Sequence, residues 1–170
     1  MAIPQFSTLA SVYPDYWRYP QAEDAQKFVG GEADDKDITN TCTIRMSYAM
    51  NVSGVSIPKV WQGITNRRGK NGKYHIIRVA NFRPWMVFQF GKPDMDFVKQ
   101  SGKPFDRTKI EGTEGVIGFE IGGFTDATGH FDLWYQYLFS HEFPDGKDYF
   151  TRASRISLWT TGIRHSLAPV

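Results

Sequence analysis

Residues 38–54 read Ile38-Thr-Asn-Thr-Cys-Thr-Ile-Arg-Met-Ser-Tyr-Ala-Met-Asn-Val-Ser-Gly54. Thr39, Asn40 and Thr41 are all able N-caps, because a short side chain bearing an oxygen can accept a bond from an orphan amide of the first helical turn. Beyond them, Ile44, Tyr48 and Val52 fall on one stripe at helical spacing. Cys42, Met46, Ala49 and Met50 fall on a neighbouring stripe. Gly54 closes the segment as a natural C-cap residue. The pattern predicts a helix from about Thr41 to Val52.

Upstream, residues 1–37 read as loop with short pieces of helix. Pro14 and Pro20 break any longer one, and Gly30-Gly31 with the acids that follow marks an exposed loop. Downstream, residues 55–75 are rich in turn residues. The apolar run 76–90, interrupted by Pro84, fits a helix, a strand or one of each. Residues 91–113 read as polar loop. Three strands are expected after that: Val116 to Ile121, His130 to Phe139, and Arg155 to Thr161. Pro144-Asp145-Gly146 is a turn between the last two. One helix early and antiparallel strands late predict an α+β domain.

The chain has 170 residues, 41% hydrophobic and 22% charged. That length and composition fit a single folded domain over 1–170 and exclude disorder of the whole chain. No apolar run is long enough to span a membrane, so no membrane insertion is expected. The N-terminus lacks the charged and apolar regions of a secretory signal, and export by the general pathway is not expected. A net charge of +2 is too weak to point to nucleic acid. The charge is uneven, however. Acids cluster over 23–37, and Arg67, Arg68, Lys70 and Lys73 form a basic run. Two readings are open for that run: a solvated turn, or a basic rim that attracts an acidic substrate.

Cys42 is the sole cysteine. A disulfide framework and a CxxC site are thereby excluded, and no metal-ligand spacing such as HExxH is present, so no cofactor is expected. Cys42 stands at the first turn of the predicted helix, where the amides and the helix dipole stabilise an anion such as a thiolate. The alternative is a small core filler. A thiolate acting on an amide needs a proton carrier, and histidine is the usual one. Of His75, His130, His141 and His165, His75 borders an apolar segment and fits a structural role, while His165 lies in the tail. His130 begins an aromatic strand, which would hold it rigidly at a cleft edge.

The stretch Asn40 to Gly54 resembles the cysteine motif of the type VI secretion amidase effectors, fourth amidase group. Gly129-His-Phe-Asp-Leu-Trp134 resembles the histidine motif of the same family. Phe6 to Pro14, Ile57-Pro58, Tyr74 to Ala80, Val116 to Phe119 and Ile156 to Trp159 follow in the family's order, so the resemblance spans nearly the whole chain. It implies a papain-like, NlpC/P60-type α+β fold, with a nucleophile helix packed on an antiparallel sheet. It also implies cleavage of the γ-D-glutamyl–meso-diaminopimelate bond of peptidoglycan stem peptides. Further implications are delivery by a type VI secretion apparatus component into a rival cell's periplasm, and inhibition by a cognate immunity protein. Cys42 matches the family nucleophile and His130 the family base.

The third member departs from the family. His141 stands where the family usually has an aspartate. Asp145 is favoured as the carboxylate, with His141, Asp148 and Asp132 as alternatives. Asp132 lies two residues along the strand from His130 and so on the same face. The backbone N–H of Cys42 is expected to stabilise the oxyanion. Arg45, one turn after Cys42, is expected to pair with an acid of the 32–37 loop, or else to contact substrate. Two other functions stay open: a different thiol hydrolase or acyltransferase on the same scaffold, and a non-catalytic wall- or protein-binding module with a structural thiol.

Overall fold

The structure, a computed structural model, describes residues 1–100, 103, 105–122, 129–135 and 148–161. It is a mixed α+β fold in which a central helix is enclosed by the N-terminal third of the chain, a second long helix and an antiparallel sheet. Two short helices, α1 (Phe6–Val12) and α2 (Ala22–Val29), precede the central helix α3 (Cys42–Val52). The expected helix is therefore present to within one residue at its start.

Helix α3 is buried on nearly all sides, and its sequence carries a separate stripe for each neighbour. Cys42, Met46, Ala49 and Met50 enter the largest apolar cluster, with Phe82, Trp85, Phe131 and Trp159. Ile44 joins Val29 and Ala33 in a smaller cluster, against which Tyr48 packs. Between these stripes run Thr43, Ser47 and Asn51, four residues apart. Buried polar side chains are costly unless hydrogen-bonded, and these three are. Thr43 Oγ1 donates to the Ile77 carbonyl at 2.8 Å. Ser47 Oγ accepts from the Ile76 amide at 3.1 Å. Asn51 donates to the Tyr74 carbonyl at 2.8 Å and accepts from the Ile57 amide at 3.3 Å. The polar stripe thus fixes segment 74–77 along the helix. Val52, by contrast, is exposed at the end of its stripe.

Residues 55–75 form two small antiparallel pairs, β1 (Val60–Trp61) with β2 (Ile64–Thr65), and β3 (Arg67–Arg68) with β4 (Tyr74–His75). The ambiguous run 76–90 is helix α4 (Val79–Phe90), with Pro84 inside it. Strand β5 (Met95–Val98) lies within the segment expected to be polar loop. The three expected strands are β6 (Glu114–Glu120), β7 (Gly129–Tyr135) and β8 (Arg155–Thr160), and a short helix α5 (Tyr149–Arg152) precedes β8. Sheet order is β5-β8-β6-β7, with every pairing antiparallel, so β7 is an edge strand. Alternation sorts the sheet's two faces. Val116, Phe131, Leu133 and Trp159 join the large cluster with α3 and α4. Ile117, Phe119, Trp134, Ile156 and Leu158 join a second cluster with Phe150 and Ile110. Residues 136–139 of the second expected strand, and the Pro144-Asp145-Gly146 turn, lie outside the described residues.

The basic run and the acidic loop meet. Arg67 lies 3.5 Å from the Asp35 carboxylate, and the Arg68 amide donates to Glu32 at 3.0 Å. Arg67 is thus paired with one of the protein's own acids, whereas the Arg68 contact is made by its backbone and leaves its guanidinium out of that pairing. Among the described residues, no helix is long and apolar enough to cross a membrane.

Candidate active site

Cys42 is the first residue of α3, following the cap residue Thr41. The Thr41 hydroxyl does not cap the helix, because it accepts instead from Arg45 Nε at 3.1 Å. Capping falls to Asn40, whose Oδ1 accepts the Cys42 N–H at 3.1 Å. The other end of the same carboxamide, Nδ2, donates to the Gly129 carbonyl at 3.2 Å. Gly129 opens β7, directly before His130.

The fold brings Cys42, His130 and Asp132 together, all of them buried. His130 Nε2 lies 3.5 Å from Asp132 Oδ2, while Asp132 Oδ1 accepts the Leu133 amide at 2.8 Å. Burial pushes the His130 ring toward the neutral form. Hydrogen bonding with Asp132 and Cys42, and the charges of both, outweigh that and lift its pKa to about 9. The ring is therefore disposed to hold a proton beside the thiol. Tyr149 stacks on the ring with centroids 4.3 Å apart, and Tyr16 lies farther off at 6.2 Å. Tyr13 is buried nearby, and its hydroxyl has no hydrogen-bond partner among the described residues. Burial first, then the negative groups around it, raise the Tyr13 pKa well above its ordinary value, so it stays a neutral phenol.

Arg45 does not pair with an acid of the 32–37 loop, the first of the two expectations for it. It is fully buried, and burying a guanidinium costs several kcal/mol unless its donors are met. The acceptors are backbone carbonyls: Pro14 at 2.6 Å, Asp15 at 3.3 Å, Tyr19 at 2.7 Å and Gln21 at 3.2 Å. The guanidinium also lies 4.0 Å from the Tyr16 ring centroid. Arg45 thus ties loop 14–21 to the helix that carries Cys42, and it contacts no acid of the 32–37 loop.

Of the other candidates, Asp148 caps α5 by accepting from the Phe150 and Thr151 amides, and it lies 2.9 Å from Arg107. Asp145, His141 and His165 lie outside the described residues. His75 is buried beside Tyr48. The Cys42 N–H, expected as an oxyanion donor, is engaged by Asn40. Among the described residues no group of side chains is arranged to hold a metal ion.

Residues 38–159 match the family described as "Type VI secretion system (T6SS), amidase effector protein 4". The chain belongs to that family. The match runs from just before the Cys42 motif to the last residue but one of β8, so it encloses the whole constellation. Solved structures share the fold. The effector Tae4 of Salmonella typhimurium, solved in complex with the immunity protein Tai4 of Enterobacter cloacae, is 22% identical, with a TM-score of 0.75 over 94% of this chain and 100% of that one. The Tae4–Tai4 effector–immunity complex from Enterobacter cloacae gives 22% and 0.76 over 94% and 99%. Tae4 of Enterobacter cloacae alone gives 24% and 0.76 over 95% and 100%. No curated protein sequence matches.

Proposed function

We propose that this amidase effector is a cysteine amidase of papain-like, NlpC/P60 type. Its reaction is cleavage of the γ-D-glutamyl–meso-diaminopimelate bond of peptidoglycan stem peptides in a rival cell's periplasm. The observation that carries the reading is the buried meeting of Cys42, at the start of α3, with His130, at the start of β7. Family membership supports delivery by a type VI secretion apparatus component, and the effector–immunity complexes of the structural relatives support restraint by a cognate immunity protein.

His130 takes the Cys42 thiol proton, and the thiolate attacks the γ-glutamyl carbonyl carbon. The raised affinity of His130 for a proton favours the imidazolium that results. The imidazolium then protonates the departing amine of diaminopimelate, leaving a thioester. His130 next takes a proton from water, whose oxygen attacks the thioester. The thiol is regenerated and a free γ-carboxyl is released. A third group, a carboxylate or a second histidine, fixes the ring's tautomer and stabilises its charge. Among the described residues Asp132 is so placed, 3.5 Å from Nε2, and it is proposed for that role. Asp145, with His141 as its alternative, is the competing assignment drawn from the family pattern.

The test is mass spectrometry of Gram-negative muropeptides incubated with wild type and with Cys42→Ala. Release of a disaccharide dipeptide by the wild type alone is expected. No cleavage of tetrapeptide or cross-linked stems by a folded wild type would overturn the reading. One observation favours the alternative of a structural thiol: Cys42 is fully buried within the large apolar cluster. Iodoacetamide separates the two, since a structural thiol resists alkylation in the folded state whereas an activated one is alkylated.

A further inference from the structure

The two ends of the Asn40 carboxamide are bound to the two halves of the site. Oδ1 accepts the Cys42 N–H at 3.1 Å, and Nδ2 donates to the Gly129 carbonyl at 3.2 Å, 89 residues away in the chain. Each anchor is rigid. The Cys42 amide belongs to the first residue of α3. The Gly129 carbonyl belongs to a residue that pairs with Glu120 in the β6–β7 ladder. Gly129 adopts φ +153°, and a Cβ there would fall 1.8 Å from the Phe119 carbonyl oxygen, so only glycine lets β7 start this close to β6. Neither anchor can drift without breaking helix or sheet.

A helix cap needs only an acceptor, and an aspartate, serine or threonine would serve as well as asparagine. Thr41 is present at the cap position, yet its hydroxyl is committed to Arg45. The donor half of Asn40 has no part in capping and reaches across to the strand that bears His130. We propose that Asn40 is a positioning residue. Its carboxamide ties the nucleophile's amide to the carbonyl next to the base, and so sets the separation and angle of the Cys42–His130 pair. The inference rests on the proposed amidase reading, in which that pair does the chemistry.

Asn40→Asp is the discriminating variant. It keeps the shape and the acceptor for the Cys42 N–H, so the helix start stays capped. It loses the donor to the Gly129 carbonyl and sets a carboxylate oxygen against it. Asn40→Ala removes both contacts. Steady-state kinetics on tetrapeptide muropeptides are measured for wild type and both variants, across pH, with thermal melting as the control for folding. Loss of alignment costs turnover rather than substrate affinity. The expected result is a fall in kcat of about 10- to 100-fold in both variants, with KM within about threefold of wild type. In Asn40→Ala the basic limb of the kcat profile is expected to move to lower pH as the imidazolium loses its alignment with the thiolate, whereas in Asn40→Asp the added carboxylate opposes that shift. A folded Asn40→Asp with wild-type kcat and pH profile would overturn the proposal and leave Asn40 a helix cap. Should Asn40→Ala fail to fold, Asn40→Asp still decides the matter. A folded but inactive wild type marks failure of the amidase reading instead, a result distinct from an active wild type matched by Asn40→Asp.

Discussion

His75 and His130 are both almost fully buried, both stand in strands and both lie against a tyrosine ring. Their titrations are driven in opposite directions. For His75, burial holds the pKa down at about 4, and the backbone groups of Arg67 and Lys73 pull upward without offsetting it. Those backbone groups approach the ring without making a hydrogen bond of good geometry to either nitrogen. For His130, burial acts in the same sense, yet Asp132 and Cys42 overcome it and the pKa rises to about 9. Depth alone therefore does not decide what a histidine does here. The partners aimed at the ring do, and they separate a packing residue from the proposed proton carrier.

The comparison breaks most sharply on activity. Cys42→Ala or His130→Ala is expected to lower kcat/KM on muropeptides by at least about 10³-fold, whereas His75→Leu leaves the activity of the folded protein near wild type. Kinetics with near-ultraviolet circular dichroism as a folding control check this. Asp132→Asn comes next. It keeps the shape at the ring but not the charge, and kcat is expected to fall by about 10²- to 10⁴-fold. The His130 titration should move down toward its ordinary 6.5, read by NMR on the same variant.

Stability sharpens the contrast. A His75 pKa lowered from 6.5 to about 4 means that the unfolded chain binds the proton more tightly. Stability is fully present above about pH 6.5 and is lost as pH falls from there through about 4, by about 3 kcal/mol. His130 has the opposite sign. Its raised pKa stabilises the fold below about 6.5, and that contribution is lost as pH rises through about 9. Urea unfolding across pH is expected to show a flattened acid limb for His75→Leu and an unchanged acid limb for His130→Ala. The smallest effect is steric. A Cβ at Gly69 would lie 2.7 Å from His75 Cε1, so Gly69→Ala is expected to cost about 1–3 kcal/mol with little change in kcat.

What could be read in advance follows from where the information resides. Helix α3 was legible because its caps and stripes are local. Strands β6 to β8 were legible because alternating and aromatic runs stand between turn residues. The α+β class followed from their order. Strand β5 was not, because Met95–Val98 is a half-buried edge segment set among glycines, prolines and charges. Cys42 and His130 stood out by chemical type and position. The role of Arg45 did not, because its partners are backbone carbonyls, which every residue carries and no sequence pattern marks. Asn40 read as an able cap, yet the carbonyl that gives it a second use belongs to Gly129, brought near only by folding. His75 and His130 differ by neighbours that are remote in the chain, so composition alone gave no reason to expect opposite titrations.

The most direct test is an NMR titration of both histidines in one sample, with ring signals assigned through His75→Leu and His130→Ala. His130 is expected to titrate near pH 9 and His75 to stay neutral down to about pH 4, where unfolding intervenes. Titration of both rings near their common ordinary value of 6.5 would contradict the assignment of His130 as the buried proton carrier beside Cys42.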